Sequence, residues 1–515
     1  MTEQKKEFGK WRSFLWPIHS YELKKILPMF LMFFFILFNY TVLRDTKDSL
    51  VIPASGAETV LFLKFWGVVP SAILFMLIYS KLSNVLSKEK LFYTTLAPFI
   101  VFFASFALFI YPNREALHPH AAADYLETIL PVGLHGLVSC FRNWTYSIFY
   151  ILSELWGSAV LSLMFWGFAN DITRVTEAKR FYSLFGLGGN LALLCSGPLI
   201  YYFSKVRGVV AEGVDPWGYT LNCLMAMVVL AAFALIGVYW WMQRYVLTDP
   251  RFFDPNEEKK MKKSKPKMSL LDSFKYILSS KYMLCLAVLV VAYGMSINLI
   301  EVTFKDQLRK LYPHSNDYSA FMGLFSTVTG AATIFMMLFV GSNVIRKFGW
   351  GFAAMITPVV LLLTGAGFFG FILFQDSLAG VISAIGVTPL FLAVMFGAAQ
   401  NIMSKSSKYS LFDPTKEMAY IPLDQEQKVK GKAAVDVVAA RLGKSGGALV
   451  QQGLVVLFGT ITAFTPYVAA ILLIIIGGWI ASARFLNKEF TSLTAEGPEV
   501  AAEPKKDKDL QTATT

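Results

Sequence analysis

The sequence predicts an all-α membrane protein of about twelve transmembrane helices in two halves of six, and three observations predict it. Of 515 residues, 55% are hydrophobic and the mean hydropathy is +0.52. The apolar residues come in runs of about 20, the length that crosses a hydrocarbon core about 30 Å thick. Lys and Arg concentrate in alternate loops, as the positive-inside rule requires of a multi-pass protein. A long, polar, basic loop then interrupts the chain at its middle. A soluble protein of this length would split into several separate cores instead.

The elements follow in order. Residues 1–24 are polar and basic, and the first apolar run, 25–44, is too long for the core of a cleavable signal peptide. Runs at 60–80, 91–111, 145–170, 183–203 and 219–242 complete the first half, 25–242. The loop 243–280 carries KKMKKSKPK at 259–267 and reads as a basic cytoplasmic connection between parallel repeats, or as a contact for anionic lipid. The second half, 281–482, has runs at 281–302, 319–341, 350–374, 378–400, 435–459 and 462–482. The tail, 483–515, is poor in apolar residues and reads as disordered.

Topology comes from the basic residues. Lys81, Lys88 and Lys90 follow the second run, and Arg174, Lys179 and Arg180 the fourth. Arg346 and Lys347 follow the eighth, and a series from Lys405 and Lys408 to Lys432 follows the tenth. This alternation places both termini in the cytoplasm, for a protein of the cell inner membrane. It also accounts for a net charge of +12, to which a polyanionic solute would add a second cause. Cys140, Cys195, Cys223 and Cys285 show no metal or redox spacing and read as small packing residues. No metal site and no cofactor is expected.

Faint echoes relate the halves. Tyr-Ser-Leu-Phe occurs at 182–185, beyond the fourth run, and at 409–412, beyond the tenth. Gly-rich segments follow each, GLGGN at 186–190 and RLGKSGG at 441–447. Together they point to a duplicated six-helix unit.

The functional signal is charge inside the apolar runs. An ionisable group at the bilayer centre costs roughly 2.5–3.5 kcal/mol on insertion scales, so it faces a bundle interior or a wet path. Lys47, Glu154, Glu301 and Lys444 are the four candidates. Arg44 and Lys47 share a helix face in NYTVLRDTKDSLV (39–51); a snorkelling helix end is the competing reading, with Asp45 and Asp48 as local partners. Glu154 has apolar flanks on both sides, and a protonated or helix-bonded acid is its alternative. Glu301 has Asn298 one turn before it and Lys305 one turn after, so a simple local pair competes with a transport role. Lys444 lies among glycines that admit a neighbouring helix, with Arg441 close by. Lys64, near the start of the second run, reads as inward-facing or snorkelling. Tyr150, like Tyr146 and Phe149, could stack on a base, although core packing or lipid contact explains any one aromatic as well.

Other classes fit the sequence less well. Gly-Lys-Ser at 443–445 resembles the end of a Walker A loop, but Val438 stands where its first glycine is required, so a P-loop ATPase is rejected. A membrane-embedded transferase stays a remote alternative, since no metal cluster stands out to carry its chemistry, and a structural scaffold has no need of buried charges in both halves.

Five segments resemble the nucleotide transporter family, the ATP/ADP translocases of obligate intracellular bacteria and plastids, and most nearly its chlamydial members. They are NYTVLRDTKDSLV (39–51), SELWGSAVLSLMFWGFAN (153–170), INLIEVTFK (297–305), YSLFDPTKEMAYIPLDQEQKVKGKAAVDVV (409–438) and GKSGGALVQQ (443–452). The resemblance implies a major-facilitator-like arrangement and a transporter, not an enzyme. It implies exchange of external ATP for internal ADP, with proton-coupled import of several nucleotides as the alternative. Carried over by motif, the family's two transport lysines fall on Lys47 and Lys444 and its two glutamates on Glu154 and Glu301; the reading of the residues themselves adds Arg44, Lys64, Tyr150, Asn298 and Arg441 as auxiliaries. The chain is expected to act as a monomer among membrane lipids, with ATP and ADP as substrates and no nucleic acid. Lys47 and Lys444 are expected to meet the phosphates in one cavity, paired with the glutamates when it is empty.

Overall fold

The computed structural model describes residues 18–173, 175–206, 210–249, 252, 278, 280–384, 386–423, 431, 432, 435 and 439–495. The first 17 residues, nearly all of the central basic loop, the KVK stretch at 428–430 and the tail after 495 lie outside them.

Ten helices among these residues are long and apolar enough to cross a membrane. The first six spans are α1 (Leu23–Ser55), α2 (Glu58–Val85), α3 (Lys88–Ile110), α6 (Trp144–Ile172), α7 (Val175–Ser204) and α8 (Pro216–Tyr245). Two short helices, α4 (His120–Ile129) and α5 (His135–Arg142), fill the connection before α6. The later spans include α9 (Lys281–Leu311), α10 (Ser315–Gly341), α11 (Ser342–Leu373) and α15 (Ile461–Ala495). Between them stand the short α12 (Gln375–Ser383), then α13 (Pro389–Ser407) and α14 (Ala440–Phe458). The last two have 19 residues each, about 28 Å at 1.5 Å per residue, and bring the crossings to about twelve. They are less apolar because α13 carries Asn401, Ser404 and Lys405, and α14 carries Arg441, Lys444 and Gln451.

Local chemistry sets the ends. Asp215 caps α8 by accepting from the Trp217 N–H at 3.0 Å, with Pro216 in the first turn. Thr388 caps α13 in the same way, accepting from Phe391 N at 3.1 Å, with Pro389 following. Gly56, at φ +89°, closes α1 in a conformation costly for any other residue and turns the chain into α2.

Three sequence boundaries are corrected. The run 378–400 is not one span: α12 stops at Ser383, Gly386 takes φ +76°, and the membrane helix restarts at Pro389. Helix α1 does not stop near residue 44 but continues for three more turns, because its polar residues are buried against protein and paired there. Helix α15 runs past 482 to Ala495, so the start of the tail is helical. The two Tyr-Ser-Leu-Phe echoes also occupy different elements: 182–185 lies inside α7, whereas 409–412 lies in a π-helical extension of α13, Lys408–Phe412.

Helix α1 packs against α6, α7 and α8, and α9 against α13, α14 and α15. The broadest contact between the first six spans and the rest is α7 along α10. At the end where α1 turns at Gly56, the Glu58–Val68 part of α2 reaches α14, and Gly133 abuts the backbone of Val455 and Val456. The remainder of α2, Val69–Val85, buries no side chain. The bundle is therefore drawn together at the Gly56 end.

Candidate functional site

Six charged side chains form one continuous lattice across the Gly56 end of the bundle. Lys47 on α1 donates to Asp48 at 2.8 Å and to Glu154 on α6 at 3.0 Å. The other oxygen of Asp48 accepts from Lys305 on α9 at 2.8 Å. Lys305 donates to Glu301 at 2.6 Å, and Glu301 accepts again from Lys64 on α2 at 2.9 Å. Three ammonium groups and three carboxylates leave the lattice neutral, which is the condition for holding charge at this depth.

Irregular helix accompanies two of these groups. Lys64 sits in a π-helical segment of α2, Leu63–Val68, and a second such segment, Gly157–Phe165, begins three residues after Glu154. A π turn adds a residue to the helical cycle and rotates the side chains beyond it, a device common at functional positions. Tyr150, one turn before Glu154 on α6, is fully buried and lies flat under Lys47, whose Nζ is 3.9 Å from the ring centre. This cation–π contact adds to the two ion pairs.

A second link runs beside the lattice. Arg44 binds Asp45 at 2.9 Å and donates to Ser326 on α10 at 2.8 Å, and Ser326 donates back to Asp45 at 2.6 Å. Asp45 and Asp48 therefore do more than serve their own helix: both tie α1 to spans from the second part of the chain. Hydropathy could not reveal this, because a local i,i+1 or i,i+4 partner explained each acid equally well.

Between these links and the opposite end lies a cavity of about 440 Å³, walled by α1, α7, α9, α10 and α13. Arg44, Asp48, Glu301 and Lys305 form its charged floor. Lys47 is not on its wall: only 2% of the side chain is exposed, and the lattice encloses it. Lys47 is paired with Glu154 here and does not line the cavity. Lys405, counted in the sequence as a loop residue, lies instead on α13 and lines the cavity.

The remaining candidates divide. Lys444 belongs to α14, but its side chain lies outside the described residues. Arg441 is exposed on the same helix, away from the cavity floor, because the Gly443 and Gly447 face of α14 is the one that meets α9. Asn298 belongs to that helix–helix contact: it donates to Gly294 O at 2.9 Å, and its own carbonyl accepts from Gln451.

The family model described as TLC ATP/ADP transporter matches residues 1–490. The chain belongs to the TLC ATP/ADP transporter family. It is 62% identical over 500 residues to ADP,ATP carrier protein 1 of Chlamydia muridarum (strain MoPn / Nigg), covering 97% of this chain and 94% of that one. It is 54% identical over 476 residues to the chloroplastic ADP,ATP carrier protein 1 of Arabidopsis thaliana, covering 92% and 75%. Among solved structures, a D-xylose-proton symporter superposes with a TM-score of 0.52 at 12% identity, covering 91% of this chain and 97% of that one. A bacterial homologue of the iron transporter ferroportin in an inward-facing state gives 0.50 at 11%, covering 93% and 100%. These likenesses establish the fold alone, an all-helical multi-span bundle with major-facilitator-like structural neighbours. The family member is a multi-pass membrane carrier for ATP and ADP, not an enzyme.

Proposed function

We propose that this carrier imports external ATP in exchange for internal ADP by alternating access, working as a monomer in the cell inner membrane with both termini cytoplasmic. Its moving parts are the halves 25–242 and 281–482, joined by the 243–280 loop. The Asp48–Lys305 ion pair carries the reading, since it joins the two halves at the floor of the cavity between them. The lattice seals the external side, and nucleotide enters the cavity from the cytoplasmic side.

Lys47, Glu154, Glu301 and Lys444 are the transport residues. Phosphoryl oxygens compete with the carboxylates for the lysines, because both are acceptors for charge-assisted hydrogen bonds. A bound nucleotide thus loosens the lattice and allows the external side to open, which frees Lys47. An empty carrier keeps Lys47, Lys64 and Lys305 paired and resists reorientation, so net flux without a counter-substrate is slow. Arg44 and Lys64 support the floor, and Lys444 meets phosphate from α14.

Exchange is expected in proteoliposomes: ADP loaded inside stimulates ATP uptake strongly, and Glu301→Gln removes most of that stimulation. Equal uptake into empty vesicles under a proton gradient would overturn the antiport reading. ATP carries about one more negative charge than ADP at neutral pH, so one turnover moves net charge. An inside-positive potential of 100 mV is worth about 2.3 kcal/mol per charge and shifts the steady ATP distribution about 50-fold inward. A distribution indifferent to potential would exclude the exchange of unequal charges.

A further inference from the structure

Lys405 stands apart from the other interior cations. Lys25, Arg44, Lys47, Lys64 and Lys305 each have a carboxylate oxygen within 2.9 Å. Among the described residues Lys405 has no ion pair, yet it is half-buried and lines the central cavity. Its Nζ sits 5.6 Å from the centre of the Phe325 ring. The next residue, Ser326, holds Arg44 at 2.8 Å. A cation from α13 and a cation from α1 therefore converge on one turn of α10, from opposite halves of the chain. Counting the cavity wall, Arg44, Lys305 and Lys405 face Asp48 and Glu301, an excess of one positive charge. A wall that holds a cation without a counter-ion is poised for an anion.

We propose that Lys405 is a ligand for the phosphate chain of the exchanged nucleotide, which it shares with Arg44 across the cavity. This rests on the reading of the cavity as the substrate site. A polyphosphate spanning the two groups replaces their mutual repulsion with attraction to a common anion and draws α13 toward α1. A nucleoside without phosphates gains nothing from either group.

The test is Lys405→Gln and Lys405→Arg in full-length carrier, with ADP-driven exchange in proteoliposomes and melting in detergent. Lys405→Gln is expected to raise the KM for ATP about 10–100-fold, the loss of a charge-assisted hydrogen bond, while Lys405→Arg stays within about threefold. The melting temperature of ligand-free Lys405→Gln is expected to equal or exceed that of the unmutated carrier, because a cation without a counter-ion has been removed. Its stabilisation by ATP or by inorganic tripolyphosphate should fall in step with the weaker binding. A fall in the ligand-free melting temperature would make Lys405 structural and overturn the assignment. So would a KM within about twofold of the unmutated value. Met337→Cys, on the same cavity wall, separates the two levels of the argument: ATP is expected to protect it from alkylation. Protection together with an unchanged Lys405→Gln KM defeats Lys405 alone, whereas absence of protection defeats the cavity as substrate site and this proposal with it.

Discussion

Asp48→Asn is expected to abolish ADP-driven exchange and to destabilise the carrier by about 3–5 kcal/mol, the cost of removing one partner from a buried ion pair. Asp48 is 1% exposed and stands between two ammonium groups, Lys47 at 2.8 Å and Lys305 at 2.8 Å. An amide there removes the one negative charge the two lysines share. Each keeps a single carboxylate, Glu154 or Glu301, and the two cations repel across the gap. The compensating variant separates stability from function. Asp48→Asn combined with Lys305→Met removes one charge of each sign and is expected to recover most of the melting temperature, since apolar replacement of a buried pair is often neutral. It does not recover exchange, because the bridge between α1 and α9 is gone. Melting curves in detergent and exchange assays on the three proteins decide the matter. A single Asp48→Asn variant with unmutated stability and flux would remove the lattice from the mechanism.

The sequence displayed the framework of this site more clearly than its wiring. Membrane crossings were legible from apolar length because each must satisfy its own backbone within the helix. The exceptions are instructive. Helix α1 outran its apolar stretch because Asp45, Lys47 and Asp48 find partners inside the protein, so low hydropathy did not mean exit from the membrane. The run at 378–400 concealed a break that only Gly386 and Pro389 marked. Lys47, Glu154 and Glu301 were visible as charges in apolar surroundings, and all three belong to one lattice. Lys305 and Asp48 were not, because each had a nearby residue of opposite charge that explained it locally. Tertiary partners more than 100 positions away cannot be read from helical spacing. Lys405 failed for another reason: the positive-inside rule treats a lysine near the end of a span as a topological marker, and here α13 carries it into the cavity wall.

The second large effect concerns the contact that must survive while the lattice opens. Gly323→Val is expected to reduce exchange more than about 100-fold, because at Gly323 α10 lies directly against the backbone of α7. A Cβ at Gly323 would lie 2.6 Å from Tyr201 N and 2.7 Å from Gly197 O, and one at Gly197 would lie 2.6 Å from Gly323 O. No rotamer change relieves a clash with a neighbour's main chain, so the helices must separate. Gly330 repeats the arrangement two turns on, 2.9 Å from Asn190 O. Gly237→Ala is the control: nothing lies within 4 Å of its Cβ position, so exchange and melting temperature should be unchanged or slightly improved. If the lattice at the Gly56 end must break once in every cycle, the halves need another contact that never does, and a glycine seam along α7 and α10 can turn without separating. Retained exchange in a properly folded Gly323→Val carrier would show that the halves rock about some other line.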